Sequence, residues 1–318
     1  MRLQVAAVES QRNRTRVGIW FQAVRFHYVP PSFLPAILCS LIAWANHTIA
    51  DMASFLLVVM AVTINHFGLN MMDDAFDYLY SVDRPEHKDK NPYTGGSGVI
   101  TQGLLSVRQV LIGSVVCFAI TAGTGFYLAY AKGWPVLAFG IFGLLSSIFY
   151  TAPPIKFGYR GFGELGLLIN FGPILGLGAY YVQSGGIALE PLLISLVLGC
   201  MMWSMIIINE IPDYESDLHG NKLNLVARFG KEKGILLYIM GLASSYLILI
   251  VTVALRIAPP FILLGLVTLP LALKSIRILR QNYHDGLKMM PANLAMIKVH
   301  LYTGLALIGG YALHIYVN

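Results

Sequence analysis

Apolar runs of membrane-crossing length dominate this chain. One of them, LLISLVLGCMMWSMIII (192–208), contains no charged residue. A hydrocarbon core about 30 Å thick is crossed by about 20 apolar residues of helix. Runs of that kind recur near 29–48, 53–80, 107–131, 134–151, 163–184, 189–210, 233–256, 258–280 and 293–316. In lipid every backbone polar group must find its partner within the span or its barrel, which leaves helices or closed barrels. These runs are continuously apolar, without the alternation a barrel strand needs, so helices are expected. The expected fold is all-α: a polytopic membrane protein of nine transmembrane helices around a central cavity. Residues 1–318 are read as one transmembrane domain, with 1–18 as a polar N-terminal arm. Only 12% of the residues are charged and the mean hydropathy is +0.66, against about 25% charged in a soluble domain. The arm has no apolar stretch before a small-residue cleavage site, so the first span is expected to be an uncleaved anchor.

The net charge of +6 reports topology rather than nucleic acid, which is not an expected partner. With nine spans, all but Lys132 and Arg256 of the 22 Lys and Arg fall on one side. The positive-inside rule makes that side cytoplasmic, with the N-terminus on it. The longer connections (81–106, 152–162, 211–232 and 281–292) lie there too. The expected protein is multi-pass in the cell membrane, with its active site on the cytoplasmic side and its cavity also open laterally to the lipid bilayer. Cys39, Cys117 and Cys200 have no metal or disulfide spacing and read as packing residues.

Two acidic clusters stand where spans end. NMMDDAFDY (70–78) places Asn70, Asp73, Asp74 and Asp77 at i, i+3, i+4 and i+7, one helical face. NEIPDYESD (209–217) places Asn209, Asp213 and Asp217 at i, i+4 and i+8, again one face. Glu210 and Glu215 point elsewhere on an ideal helix and are expected to pair with loop cations. The clusters lie four helices apart, which hints at a weak repeat of spans 1–4 and 5–8. Like charges on one face repel, and an Asp near the bilayer centre costs about 2.5–3.5 kcal/mol on insertion scales. A water-filled cavity or bound cations would relieve both costs. All-oxygen ligands suit Mg²⁺, or Mn²⁺, rather than zinc. Mg²⁺ commonly shares its shell with phosphate oxygens, so two opposed Asp faces would hold metal around a diphosphate. Basic residues follow each cluster: Arg84, Lys88 and Lys90 after the first, Lys222 and Arg228 after the second, with Lys156 and Arg160 from a third loop. A capped membrane boundary would explain one such loop, but not two matched Asn/Asp faces. Pro212 frees a backbone carbonyl inside the second motif, which suits a helix lining water rather than lipid.

The chain resembles the UbiA superfamily of intramembrane prenyltransferases. That family pairs an Asn-x-x-x-Asp-x-x-x-Asp motif in its second helix with an Asp-rich motif in its sixth. NEIPDYESD matches the pattern in full. The first motif departs: Asp73 stands at the Asn position, Asp77 follows, and Ser81 replaces the last Asp unless Asp83 serves. The menaquinone branch is more similar here, through Asn70, Asp74 and Asp77 with Asp73 at a second Asn. NPYTGGSGVITQGLLS (91–106), YTAPPIKFGYRGFGELGLLINFGPILGLGAYYVQSG (150–185) and WFQAVRFHYVPPSFLPAIL (20–38) also resemble that branch. The resemblance implies transfer of a polyprenyl group from an isoprenyl diphosphate to an aromatic acceptor, 1,4-dihydroxy-2-naphthoate, with loss of CO₂, giving the quinol form of demethylmenaquinone.

On that reading Asp74, Asp77, Asp213 and Asp217 are the catalytic metal ligands, with Asn70 and Asn209 as further ligands or diphosphate contacts. Asp73 and Asp83 support them from behind. Arg25, Lys88, Lys156, Arg160, Lys222 and Arg228 receive the diphosphate. Tyr150, beside Phe149, offers an aromatic face to the allylic cation, and Asn65 and His66 meet the acceptor or serve as packing. His300 reads the same way. Gly95, Gly96 and Gly98 form a loop that could cover the site. Rival acceptors within the family are 4-hydroxybenzoate, geranylgeranylglyceryl phosphate and a tetrapyrrole. A cation-coupled secondary transporter would also carry intramembrane acids, but nearer the midplane and on inverted repeats.

Overall fold

The computed structural model describes residues 15–46, 49–82, 91 and 93–317. Among these, every regular element is helical. Thr15 caps the short helix α1 (Arg16–Ala23), its hydroxyl accepting from the Gly18 N–H at 3.1 Å. Arg25 then takes the left-handed conformation (φ 50°) and turns the chain into α2 (Pro30–Asn46). The two arms meet at 56°. Val17, Trp20, Phe21 and Phe26 are exposed along the short arm, an apolar surface suited to a membrane interface.

The chain continues through α3 (Met52–Leu79), α4 (Val107–Lys132) and α5 (Trp134–Phe149). Asp51 caps α3 through the Ser54 N–H, and Ser106 with Gln109 makes a capping box on α4. The next span has three pieces: α6 (Gly163–Ile169), one π-helical turn (Asn170–Ile174) and α7 (Leu175–Ser184). Then come α8 (Leu189–His219), the short α9 (Leu225–Phe229) and α10 (Lys231–Ala254). A 3₁₀ stretch (Pro260–Thr268) runs into α11 (Leu269–Asn282), and α12 (Gly286–Val317) closes the bundle.

Seven of these helices are long and apolar enough to cross a membrane, and the bent α1–α2 pair brings the number to eight. The protein is thus an all-α, multi-pass membrane protein. The fourth expected span, 134–151, is the shorter α5 of 16 residues, about 24 Å at 1.5 Å per residue. It packs on α4 and α7 as a shorter apolar helix.

Helix α8 is the centre of the bundle. Of its most apolar window 72% is buried, against 17% for α4, which therefore belongs to the lipid-facing rim. It packs against α10, the 163–184 span, α12 and α2. Small residues allow this. A Cβ on Gly199 would lie 2.6 Å from the Leu168 carbonyl oxygen, and one on Gly172 would lie 3.0 Å from the Gly199 Cα. Close backbone approach of this kind is how helices associate where no hydrophobic effect separates protein from lipid. Cys39 and Cys200 are buried and Cys117 is half-buried, all three free, as packing residues should be.

The single central cavity expected from sequence is divided. A mostly apolar cavity of about 190 Å³ lies among α2, α3, α4, α5 and α7, lined by residues such as Val58, Asn65, Gly125, Phe126 and Phe171. A polar one of about 70 Å³ lies where α3 and α8 end. They share no lining residue.

Candidate active site

The polar cavity joins the two acidic motifs. Asp73 and Asp77 from α3 line it together with Asn209, Glu210, Asp213 and Asp217 from α8. Arg25, Tyr150, Lys222 and Asn224 complete the wall with the 94–95 segment. The two helix ends face each other because both overrun the apolar core: α3 has 28 residues and α8 has 31, against the ~20 a bilayer needs.

Each carboxylate has a different surrounding. Asp77 is the most tightly held. The Tyr159 hydroxyl donates to one oxygen and Lys222 Nζ lies 2.7 Å from the other. Lys222 also stands 3.9 Å from Asp73, whose second oxygen is 3.9 Å from Arg25. Burial works to lower the Lys222 pKa, but Asp77 and Asp73 outweigh it and hold the ammonium well above the usual lysine value. Burial first, then Asp77, push the Tyr159 phenol far above its usual value, so it stays a donor. Asp217 accepts from Asn224 Nδ2 at 2.6 Å, while Asn224 Oδ1 accepts from the Ala227 N–H and so caps α9. Asp213 accepts from the Thr94 hydroxyl at 3.0 Å and the Gly95 N–H at 2.8 Å.

The glycine-containing loop lies against both acidic motifs. Its Ser97 N–H donates to both oxygens of Asp74, at 2.9 and 3.0 Å. One short loop therefore ties a carboxylate of α3 to one of α8. The structure places two neighbours differently from the expectation. Asp73, expected behind the ligands, lines the cavity, and Asp74, expected among them, is turned to the loop. The physical reason is helical rotation: residues 73 and 77 are one turn apart on the cavity face, and 74 lies 100° round.

Other expected residues divide in the same way. Arg25 is in the wall, its guanidinium 4.9 Å over the Tyr28 ring. Lys156 is not; its ammonium sits 4.3 Å over the Tyr80 ring, behind Tyr159. Arg160 and Arg228 brace loops, donating to the carbonyls of Pro154, Leu223 and Arg160. Asn70 donates to the Val24 carbonyl at 2.9 Å and so holds the α1–α2 elbow. Glu210 is buried and lines the cavity, with Glu164 beside it and the loop cation Lys222 on the same wall, while Glu215 is exposed. Asn65 lines the apolar cavity and donates to Ser147, whereas His66 bonds to Ser32 and packs on Phe171. Asp83 and Lys88 lie outside the described residues, as do Arg84 and Lys90.

Three residues had no mark in the sequence: Tyr159, Asn224 and Asn293. Tyr159 and Asn224 touch Asp77 and Asp217. Asn293 donates to Asn209 from the last helix, 84 residues away. Asn224 could have been found as an N-cap candidate; for a partner at that separation the chain carries no local signal.

The profile of the UbiA prenyltransferase family matches residues 32–297. The chain is 26% identical over 272 residues to the 1,4-dihydroxy-2-naphthoate octaprenyltransferase of Mycobacterium tuberculosis, covering 86% of this chain and 89% of that one. It is 27% identical over 258 residues to the 2-carboxy-1,4-naphthoquinone phytyltransferase of Synechocystis sp., covering 81% and 80%. A solved UbiA homolog from Archaeoglobus fulgidus, bound to GPP and Mg²⁺, superposes with a TM-score of 0.63 over 94% of this chain and 99% of that one, at 14% identity. Two acidic helix ends in a membrane bundle, in a chain that the profile spans from its first long helix to its last, have one explanation: the chain belongs to the UbiA prenyltransferase family.

Proposed function

We propose that this prenyltransferase moves a polyprenyl group from its diphosphate to 1,4-dihydroxy-2-naphthoate, with Mg²⁺ as cofactor. The observation that carries the reading is the convergence of Asp73, Asp77, Asp213 and Asp217 with Arg25 and Lys222 on one cavity, next to a second that is almost wholly apolar. The names of the naphthoate and naphthoquinone relatives support the acceptor class. The donor set fits the ion. It is all oxygen, which suits a hard cation. Among the described residues no three Asp, Glu, His or Cys side chains converge tightly enough to hold a metal alone. Mg²⁺ does not need them to, because one or two carboxylates plus phosphate oxygens are its ordinary protein site.

When bound, the ion would draw off the negative charge that develops on the departing diphosphate. The side chains do the rest. Lys222 and Arg25 offer fixed positive charge to the same leaving group. Tyr150 stands at the wall of that cavity, with its ring turned edge-on to Phe157 at 5.5 Å, and offers a face to the allylic carbon as the C1–O bond breaks. The new bond forms between C1 and the acceptor ring, and the acceptor carboxyl leaves as CO₂. Asn65 in the apolar cavity stands eight residues from Asp73 on α3, about 12 Å along the axis. A diphosphate at Asp73 therefore has apolar space within reach of its tail.

Purified protein given geranylgeranyl diphosphate and 1,4-dihydroxy-2-naphthoate should release pyrophosphate and a prenylated naphthol. EDTA should stop the reaction and Mg²⁺ restore it. Turnover indifferent to EDTA would remove the metal, and turnover only with 4-hydroxybenzoate would change the acceptor. Tail length is expected to respond to the apolar cavity. A Cβ on Gly125 meets nothing within 4 Å, so Gly125→Phe should fold and fill space. Its preference in a mixture of geranyl, farnesyl and geranylgeranyl diphosphates should move to the shorter donors, read from the product masses.

A further inference from the structure

Asn293 is buried in α12, 1% exposed, and the acidic motifs give it no role. Its function starts from a proline. Pro212 inside α8 brings no N–H, so the carbonyl of Ile208, four residues earlier, has no helical donor. Asn293 Nδ2 fills that gap at 3.1 Å. A carbonyl can only accept, so Asn293 must turn its NH₂ rather than its oxygen toward α8. The other hydrogen of that NH₂ goes to Asn209 Oδ1 at 2.9 Å.

The far end of the chain of amides is pinned just as firmly. Asn91, 0% exposed, accepts the Tyr93 N–H on Oδ1 at 3.0 Å. A backbone N–H can only donate, so Asn91 is left to donate from Nδ2 to Asn293 Oδ1, at 2.8 Å. One backbone acceptor and one backbone donor thus fix the sense of three amides in series. Asn209 is the last of them, and one of the two lone pairs of its oxygen is taken by Asn293. Its NH₂ takes no acceptor among the described residues and belongs to the wall shared with Asp213, Asp217 and Lys222.

We infer that Asn209 serves this site as a hydrogen-bond donor to a phosphate oxygen, not as an oxygen ligand to metal, and that Asn293 is the positioning residue that holds it in that sense. The inference rests on the diphosphate reading above. It also answers an electrostatic need. A wall carrying Asp73, Asp77, Glu210, Asp213 and Asp217 repels a polyanion, and an uncharged donor among them lets a phosphate approach α8 directly.

Protein in lipid nanodiscs, with Mn²⁺ and inorganic pyrophosphate as probes, tests this. Asn209→Ala is expected to weaken pyrophosphate binding by about 10-fold or more, the weight of a hydrogen bond to a charged group. Its Mn²⁺ affinity at saturating pyrophosphate should stay within about 2-fold. A comparable loss of Mn²⁺ affinity, or unchanged pyrophosphate binding, would overturn the assignment. Asn293→Leu leaves the Ile208 carbonyl unpaired and should lose stability. Adding Pro212→Ala returns an N–H to that carbonyl and should recover the fold, while pyrophosphate binding stays as weak as in Asn209→Ala. Recovery of wild-type pyrophosphate affinity in that double variant would overturn the positioning role. Wild-type protein that binds neither probe would refute the diphosphate reading itself, and this inference with it.

Discussion

Asp217→Asn is expected to lower turnover by at least about 100-fold while leaving the protein folded. Changes to groups that only orient a ligand commonly cost 10–100-fold, and a carboxylate on the cavity wall should cost more. The substitution keeps size and shape. Asn224 Nδ2, now 2.6 Å from Asp217 Oδ2, would still find an amide oxygen there, so α9 keeps its cap. What disappears is one negative charge facing the cavity. Asp74→Asn is the control that separates geometry from motif. Both Asp74 oxygens take the Ser97 N–H, and an amide oxygen can still accept it. Its effect should be several-fold at most and should show in loop mobility, measured by hydrogen exchange over residues 93–98. Equal losses in the two variants would mean that position in the motif, rather than exposure to the cavity, decides the role.

Gly199→Leu should leave no folded protein, judged by the yield of a monodisperse peak in mild detergent. Overpacking a core usually costs about 1–3 kcal/mol because side chains can shift. Here the obstacles are the Leu168 carbonyl oxygen at 2.6 Å and the Gly172 Cα at 3.1 Å, backbone atoms that move only if the helices part. Parting them would open the contact between α8 and the 163–184 span, next to the Met201, Met205 and Phe171 cluster. Gly123→Leu is the matched change on the rim: nothing lies within 4 Å of its Cβ, and the yield should hold. A well-folded Gly199→Leu protein would show that the crossing tolerates more separation than these distances allow.

What could be read from residues alone follows from where the forces act. Spans are written in local hydropathy, and the helices of the bundle fall where the runs predict. Helix α5 also lies on its run, though its 16 residues are fewer than the about 20 of a full crossing. The second acidic face was legible because α8 is regular through the motif, so spacing gave Asn209, Asp213 and Asp217 one direction. The first was less so. The choice between Asp73 and Asp74 depends on which side of α3 the 91–98 loop occupies, a fact of tertiary packing. Glu210 was half legible: a loop cation, Lys222, does stand on its wall, but that Glu164 and the cavity lie on the same side is again a fact of tertiary packing. Lys156, Arg160 and Arg228 share their charge with Lys222, and Arg228 its loop as well, yet of the four Lys222 has its backbone tied to Asp217, through an N–H bond of 2.7 Å to the carbonyl. The prolines were half legible. Pro212 announced an unpaired carbonyl, but its donor lay 85 residues away on another helix.

The length of α8 has a consequence for how the protein is made. At 31 residues it runs about 46 Å, against a hydrocarbon core of about 30 Å. Its first twenty residues, from Leu189 to Ile208, contain a single charge, Glu190, at the very end. A machine that sorts nascent segments by hydrophobicity therefore meets an ordinary span, and the acids follow only after the commitment to lipid has been made. With the motif end on the cytoplasmic side, as the positive-inside rule expects, no Asp of the motif would have to be carried through the apolar layer during biogenesis. A deletion of three or four residues between Gly199 and Asn209 would draw Asp213 inward by about a turn and make the same segment a poor substrate for insertion.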